Sequence, residues 1–174
     1  REVDELRKEI ERLSRKIEDD LKKLEDRYEE LLEKLERDLE KLKEDYDRLL
    51  RKLEEDGDDE KLKRELDKDR EKIERDLEDL KRKLRTDEKE VRDRVKELRD
   101  RHREMNERLK TRLRRDGVTE KAEEDVRRTV TESKKVIDEL REHIKKSIRE
   151  VEEAIKRLRE HVERSIRRAE EATK

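Results

Sequence analysis

LKKLEDRYEELLEKLERD, residues 21–38, runs directly into LEKLKEDYDRLLRKLEED, residues 39–56, and the two stretches are one 18-residue unit written twice. Leucines and one tyrosine recur at matching places in the two copies: Leu21, Leu24, Tyr28, Leu31 and Leu35, then Leu39, Leu42, Tyr46, Leu49 and Leu53. The preceding stretch holds apolar residues at the same places: Val3, Leu6, Ile10, Leu13 and Ile17. Eighteen residues in five turns give about 3.6 residues per turn, the period of a free α-helix that needs no supercoil. The repeat therefore predicts one long, straight amphipathic helix over about residues 2–56.

Two glycines divide the rest of the chain into two further helices. Gly57 and Gly117 each follow an aspartate, and the chain has no other glycine and no proline. Glycine readily takes the left-handed conformation that ends a helix, and Asp58 or Asp59 and later Thr119 can cap the helices that follow. The apolar period continues beyond each glycine, with Leu62 opening the second stripe, and predicts helices over about residues 59–116 and 119–173.

Three amphipathic helices of similar length can bury their apolar stripes only against one another, and very short loops make neighbouring helices antiparallel. We therefore predict an all-α fold: a long straight antiparallel up-down-up three-helix bundle, an untwisted coiled coil, with residues 1–174 as a single domain. Charged residues make up 64% of the chain and hydrophobic residues 26%. Such a composition is typical of disorder, but here the regular placement of the apolar residues favours a folded bundle.

The composition also indicates which kinds of binding partner to expect. The net charge is -2, from 55 basic and 57 acidic residues, so no overall field attracts nucleic acid or an anionic membrane. There is no cysteine, and the longest apolar run is two residues, too short for a membrane span or the core of a signal peptide. We expect a soluble monomer without a nucleic-acid, membrane or protein partner and without a cofactor. The cellular location is left open.

An antiparallel register predicts polar layers inside the bundle. Counting outward from the two loops places Tyr28 opposite Asp87, beside Ser147, and Tyr46 opposite Asp69, beside Ser165. A buried carboxylate without partners costs several kcal/mol, whereas tyrosine and serine hydroxyls can both donate to one. The same count predicts a third mixed layer of Leu13, His102 and Ser133. It also predicts two apolar layers, Leu31/Leu84/Val151 and Leu49/Leu66/Ala169.

These polar residues also have a functional interpretation, as an acid pair or a metal site. Asp69 and Asp87 are 18 residues apart, ~27 Å along a helix, so they cannot act on one substrate. His143 and His161 have the same separation, and His102 falls ~15 Å from His143. The sequence therefore predicts no catalytic, cofactor-binding or metal-binding residue, and the polar layers are interpreted as fixing helix register.

Two runs of like charge invite binding hypotheses. Residues 108–115, RLKTRLRR, form a basic run of the kind that contacts nucleic acid, but it also closes a helix, where positive charge suits the helix dipole. The predicted fold places this run beside the acidic starts of the first and third helices: Glu2, Asp4 and Glu5, and Glu120, Glu123, Glu124 and Asp125. Residues 54–60, EEDGDDE, lack the spacing of a calcium-binding loop and are interpreted as helix caps.

With its 18-residue period, three similar helices and paired Asp-Gly stops, the whole chain resembles the parametrically designed, untwisted three-helix bundles made de novo. The resemblance implies a hyperstable scaffold with no biochemical activity. A natural structural spacer, of the charged single-helix or spectrin-like kind, is the alternative. A single-helix spacer needs neither an unbroken apolar stripe nor two glycine stops, and spectrin-like repeats follow heptads. An enzyme is the third hypothesis, and the sequence offers it no nucleophile–base pair and no cofactor motif.

Overall fold

The computed structural model describes residues 2–56 and 60–172, which form three α-helices. They are α1 (Glu2–Asp56), α2 (Glu60–Asp116) and α3 (Glu120–Ala172). All three pairs of helices are in contact, which confirms the predicted all-α three-helix bundle. The predicted ends of α1 and the predicted end of α2 are observed, and α3 begins one residue after the predicted start. The predicted start of α2 at Asp59 and the predicted end of α3 at Thr173 lie outside the described residues.

The second chain reversal has the predicted glycine stop and threonine cap. Gly117 has a φ of +71°, and its N–H donates to the carbonyl of Leu113 at 3.0 Å. Thr119 Oγ1 accepts a hydrogen bond from the N–H of Ala122 at 3.1 Å, which satisfies one of the free amides at the start of α3. The corresponding first stop, with Gly57, Asp58 and Asp59, lies outside the described residues.

The internal contacts of the chain divide it into two compact units, each with a segment of every helix. The first unit combines the residues up to 29 with residues 88–145, and the second combines residues 30–87 with those from 146 onward. The predicted single domain over residues 1–174 remains a prediction. Each unit is described below by itself.

Ion pairs give the helix directions in the first unit. Glu18 and Glu25 on α1 contact Arg103 and Arg99 on α2, at 3.1 and 3.6 Å, so residue numbers rise along one helix and fall along the other. Arg112 on α2 meets Asp125 on α3, and Glu90 lies 3.6 Å from His143. Neighbouring helices are therefore antiparallel in this unit, as the short loops predicted.

In the second unit the register of α2 against α3 is the predicted one. Ser165 contacts Asp69, Ser147 contacts Asp87, and Glu150 lies 3.2 Å from Lys83. The residue numbers of each pair add up to about 235, the value expected from counting outward from Gly117.

The core is built from the predicted stripes, with two local differences. Leu32 is buried and Leu31 only partly so, and Ser165 is buried while Ile166 is partly exposed. Successive residues of a helix point about 100° apart, so two neighbours at the edge of a stripe compete for one core position and sequence spacing does not decide between them. The side chains of Leu53 and Leu62 lie outside the described residues. Each fully buried leucine or isoleucine contributes roughly 1.5–3 kcal/mol.

Candidate functional site

Two serine–aspartate pairs join α2 to α3 in the second unit. Ser165 Oγ donates to Asp69 Oδ2 at 2.9 Å, and Ser147 Oγ donates to Asp87 Oδ2 at 2.8 Å. The two pairs are one 18-residue repeat apart, as predicted. Ser165 is only 1% exposed. A hydroxyl is small enough to be enclosed when its hydrogen has an acceptor, which the aspartate supplies.

Each aspartate also keeps contact with solvent and with a cation. The side chains of Asp69 and Asp87 are 18% and 17% exposed. Arg168 Nη1 lies 3.8 Å from Asp69 Oδ2, and Lys83 Nζ lies 3.7 Å from Asp87 Oδ2. A buried serine hydroxyl on one side and a cation at the rim satisfy each carboxylate, which keeps the cost of partial burial low.

The predicted bond from Tyr46 to Asp69 is wrong. Tyr46 is 2% exposed, and among the described residues its hydroxyl has no hydrogen-bond partner. The acceptors of Asp69 face α3, where both Ser165 and Arg168 lie, rather than α1, which carries Tyr46. Burial, and secondarily the charge of Asp69, raises the pKa of Tyr46 to about 12.

The matching prediction for Tyr28 stays a prediction. Tyr28 is buried in the first unit, and Asp87 belongs to the second unit. The observed bond of Asp87 within its own unit is the one from Ser147.

A third polar group, here called the histidine cluster, consists of His102, Asn106 and Ser14 in the first unit. His102 and Asn106 are each 5% exposed, and Ser14 is partly buried. Asn106 Nδ2 donates to Ser14 Oγ and lies 3.2 Å from His102 Nε2. An amide nitrogen only donates, so His102 Nε2 accepts and the hydrogen of the neutral ring is on Nδ1. Burial lowers the pKa of His102, while the charge of Glu18 opposes this shift.

The histidine cluster replaces the predicted layer of Leu13, His102 and Ser133. His102 is buried as predicted, but its described partner is Asn106, and both Leu13 and Ser133 are only partly buried. Sequence analysis missed Asn106 because it lies just outside the apolar stripe. A usable signal is its position four residues after His102, since such residues meet on one face of a helix.

The other two histidines, His143 and His161, lie within α3. His143 and His161 are partly buried, and His143 Nε2 lies 3.6 Å from Glu90 Oε1. Within residues 2–56 and 60–172, no group of three or more histidines, cysteines or acids is arranged to hold a metal ion.

Acids pair with most of the basic run over residues 108–115. Arg108 contacts Glu104 at 2.9 Å, Lys110 contacts Glu11 at 3.9 Å, and Arg112 meets Asp125. Asp125 is one of the predicted neighbours. The observed partner on α1 is Glu11, about two turns beyond the predicted first-turn acids. Counting outward from the first loop therefore misplaced α2 along α1 by about that distance.

Several of these polar groups join two helices: Ser165 with Asp69, Ser147 with Asp87, and Asn106 with Ser14. Such bonds fix relative height and rotation, because a slip of one residue would separate donor from acceptor. Over the part of the chain that the structure describes, no helix is both long and apolar enough to cross a membrane. Comparison with protein-family models, with curated proteins and with solved structures gives no match to this chain.

Proposed function

We propose that this chain is a designed structural scaffold: a hyperstable, monomeric helical bundle without catalytic activity. The observation that carries the proposal is the repetition of one polar bond. Ser165–Asp69 and Ser147–Asp87 have the same residue types, the same helices and nearly the same length, one 18-residue repeat apart.

Repetition of this kind supports a role in architecture rather than in chemistry. A catalytic site needs different groups converging on one substrate. Two copies of one bond on one face of a helix instead have the same structural role at two positions. Buried polar bonds contribute little net stability, but they specify which helix positions face each other.

The rest of the described surface supports the same proposal. Exposed ion pairs follow the four-residue spacing of a single helix, for example Arg94 with Glu90 at 3.1 Å and Arg70 with Glu74 at 3.2 Å. Each such pair adds about 0.2–0.5 kcal/mol to its helix. Helix propensity, apolar pattern and caps therefore agree, and such consistency is typical of sequences with one stable fold.

Thermal unfolding followed by circular dichroism tests the proposal. We expect the helical signal to persist beyond about 65 °C, above the usual range of mesophilic domains, and to be lost in one cooperative step when denaturant is added. A charged single-helix spacer would instead lose its signal gradually, since an isolated helix melts with low cooperativity. Gradual melting, or a transition below about 65 °C, would contradict the scaffold proposal.

A further inference from the structure

A groove of about 340 Å³ lies between α1 and α3 in the first unit. Its apolar side chains are Leu13 and Ile17 on α1 and Val130 and Ile137 on α3. Ile17 and Ile137 are buried, whereas Leu13 and Val130 are only partly buried although both belong to the apolar stripes. The groove therefore keeps apolar surface in contact with water, and a ligand that covers this surface gains free energy.

Charged side chains form the rest of the wall: Lys16 and Asp20 on α1, and Lys134, Asp138 and Arg141 on α3. Arg141 Nη1 donates to Asp138 Oδ1 at 3.1 Å, so these two charges neutralise each other. Across the described chain, Lys16, Lys134 and Asp20 make no ion pair. Two free cations and one free acid leave the groove with one positive charge in excess.

The two lysines can contact a bound anion without any rearrangement of the core. Both are exposed, so their ammonium groups are already in solvent. Lysine lays its apolar stem along neighbouring apolar surface and keeps its charge in water, and the stem is flexible. An anionic group at the opening of the groove therefore lies within reach of Lys16 from α1 and of Lys134 from α3.

We propose that this groove binds a small aromatic carboxylate, whose rings cover the apolar wall and whose carboxylate lies at the opening between Lys16 and Lys134. The free lysines favour an anion over a neutral molecule or a cation, and Asp20 partly opposes them. An engineered apolar cavity of about 150 Å³ holds benzene, so on the same scale a groove of about 340 Å³ suits roughly 13 heavy atoms. A naphthalene ring system that carries one carboxylate has this size.

The compounds 2-naphthoate and 2-naphthamide separate recognition of charge from simple covering of the apolar wall. They share the same rings and the same number of heavy atoms, but only the carboxylate is charged at neutral pH. Methyl ¹³C labelling of isoleucine gives signals from Ile17 and Ile137 in the groove and from Ile73 in the other unit. Titration of the full chain at low salt should move the first two signals, through the ring current of naphthalene, and leave Ile73 unmoved. The same titration gives the affinity for each compound.

The affinity ratio of naphthoate to naphthamide is the quantity compared between variants. We expect Lys16→Gln with Lys134→Gln to lower this ratio about fivefold, the value of two exposed ion pairs. Lys22→Gln with Lys121→Gln is the matched control, since these exposed lysines lie on the same two helices outside the groove. The control removes the same charge at a greater distance and should leave the ratio nearly unchanged.

Asp20→Asn tests the same charges with the opposite sign. It removes the one free acid of the groove and should raise the ratio about twofold. A ratio of about one in the unaltered chain, or unmoved Ile17 and Ile137 signals at high naphthoate concentration, would overturn the proposal without requiring any variant to fold. An equal fall of the ratio in the two lysine double variants, or no rise in Asp20→Asn, would overturn it as well.

Discussion

Ser165 and Asp69 share a hydrogen bond of 2.9 Å between α3 and α2, and the serine that makes it is one of the least exposed residues in the described chain. Its copy one repeat away, Ser147 with Asp87, is 2.8 Å long. Two equal bonds at two heights fix the alignment of the same pair of helices. The contributions of the two bonds to the free energy of unfolding can therefore be compared in one protein.

Replacing Ser165 by alanine should lower the free energy of unfolding by about 1–2 kcal/mol, because it removes a donor from a partly buried carboxylate. Ser133→Ala is the matched control: Ser133 is partly buried on α3, in the other unit, and should change stability by less than about 0.5 kcal/mol. Urea unfolding followed by circular dichroism measures both. Equal losses in the two variants would mean that the Ser165 bond contributes nothing specific.

Replacing Tyr46 by phenylalanine should stabilise the protein by about 1 kcal/mol at neutral pH, since the buried hydroxyl has no described partner to lose. The difference should grow in alkali. The pKa of Tyr46 is about 12 in the folded chain and about 10 when unfolded, so the unfolded chain releases this proton first and the parent loses stability as pH rises between those values. At about pH 11 the added loss is ~1 kcal/mol.

Alkali affects the whole chain, so the quantity to follow is the difference in unfolding free energy between the parent and Tyr46→Phe. A lower stability of Tyr46→Phe at neutral pH would show that the hydroxyl does make a hydrogen bond in the folded protein. A constant difference up to alkaline pH would show that its pKa is not raised.

Acid should weaken the first unit through His102. Its pKa is lowered in the folded chain from the ordinary value of 6.5, so stability is full above that pH and is lost as pH falls towards the folded-state pKa. The loss can reach about 1.4 kcal/mol per pH unit. Urea unfolding at about pH 7.5 and pH 5 should show a smaller change for His102→Leu than for the parent. Identical pH dependence of the two proteins would exclude this effect of His102.

Replacing Asn106 by aspartate should reverse that pH dependence. A carboxylate only accepts, so His102 Nε2 must donate to it, and the nearby negative charge favours the protonated ring. The pKa of His102 should therefore rise, and the stabilisation by this pair should be lost as pH rises through the new pKa rather than as pH falls.

An NMR titration of the histidine side chains measures this change for each ring separately. Asn106→Leu is the control, because it removes the same amide without adding a charge, and it should leave the pKa of His102 low. Equal pKa values in the two variants would contradict the contact between residues 102 and 106.

The basic run at residues 108–115 should bind DNA only weakly, with affinity poorer than micromolar at about 150 mM salt. Its side chains already face acids, among them Glu11 and Asp125. Glu11→Gln with Asp125→Asn should release two cations, tighten binding and steepen its salt dependence. Fluorescence anisotropy with single-stranded and duplex DNA measures each case. Sub-micromolar binding by the parent would show that these ion pairs do not mask the run.

Sequence reasoning succeeded where the repeat and the loops act together. The apolar period and the Asp-Gly stops predicted the helices, and counting from Gly117 predicted the partners of Asp69 and Asp87 on α3. A three-residue loop leaves little freedom in relative height, so residues far from the loop still meet at the expected level.

Sequence reasoning failed on the height of α1 against α2 in the first unit, where Lys110 meets Glu11 rather than the first-turn acids. It also failed on rotation about a helix axis. Tyr46 and Asp69 were predicted to bond because they share a level, but the carboxylate of Asp69 faces α3. Asn106 was missed because it lies outside the apolar stripe, and its partner Ser14 lies more than one turn further along α1 than counting from the first loop places it. The orientation of a polar side chain depends on the packing of all its neighbours, which periodicity does not contain.

The repetition of the serine–aspartate pairs also creates an ambiguity. Thr129 precedes Ser147 by the same 18 residues that separate Ser147 from Ser165. A third helix displaced by one repeat would therefore offer Ser147 to Asp69 and the hydroxyl of Thr129 to Asp87. Between separate chains no loop prevents that displacement. Helices of different chains that paired one repeat out of step would leave an unpaired end, to which a further chain could add. His102, Asn106 and Ser14 have no counterparts 18 residues away, so their contacts form only in the correct register.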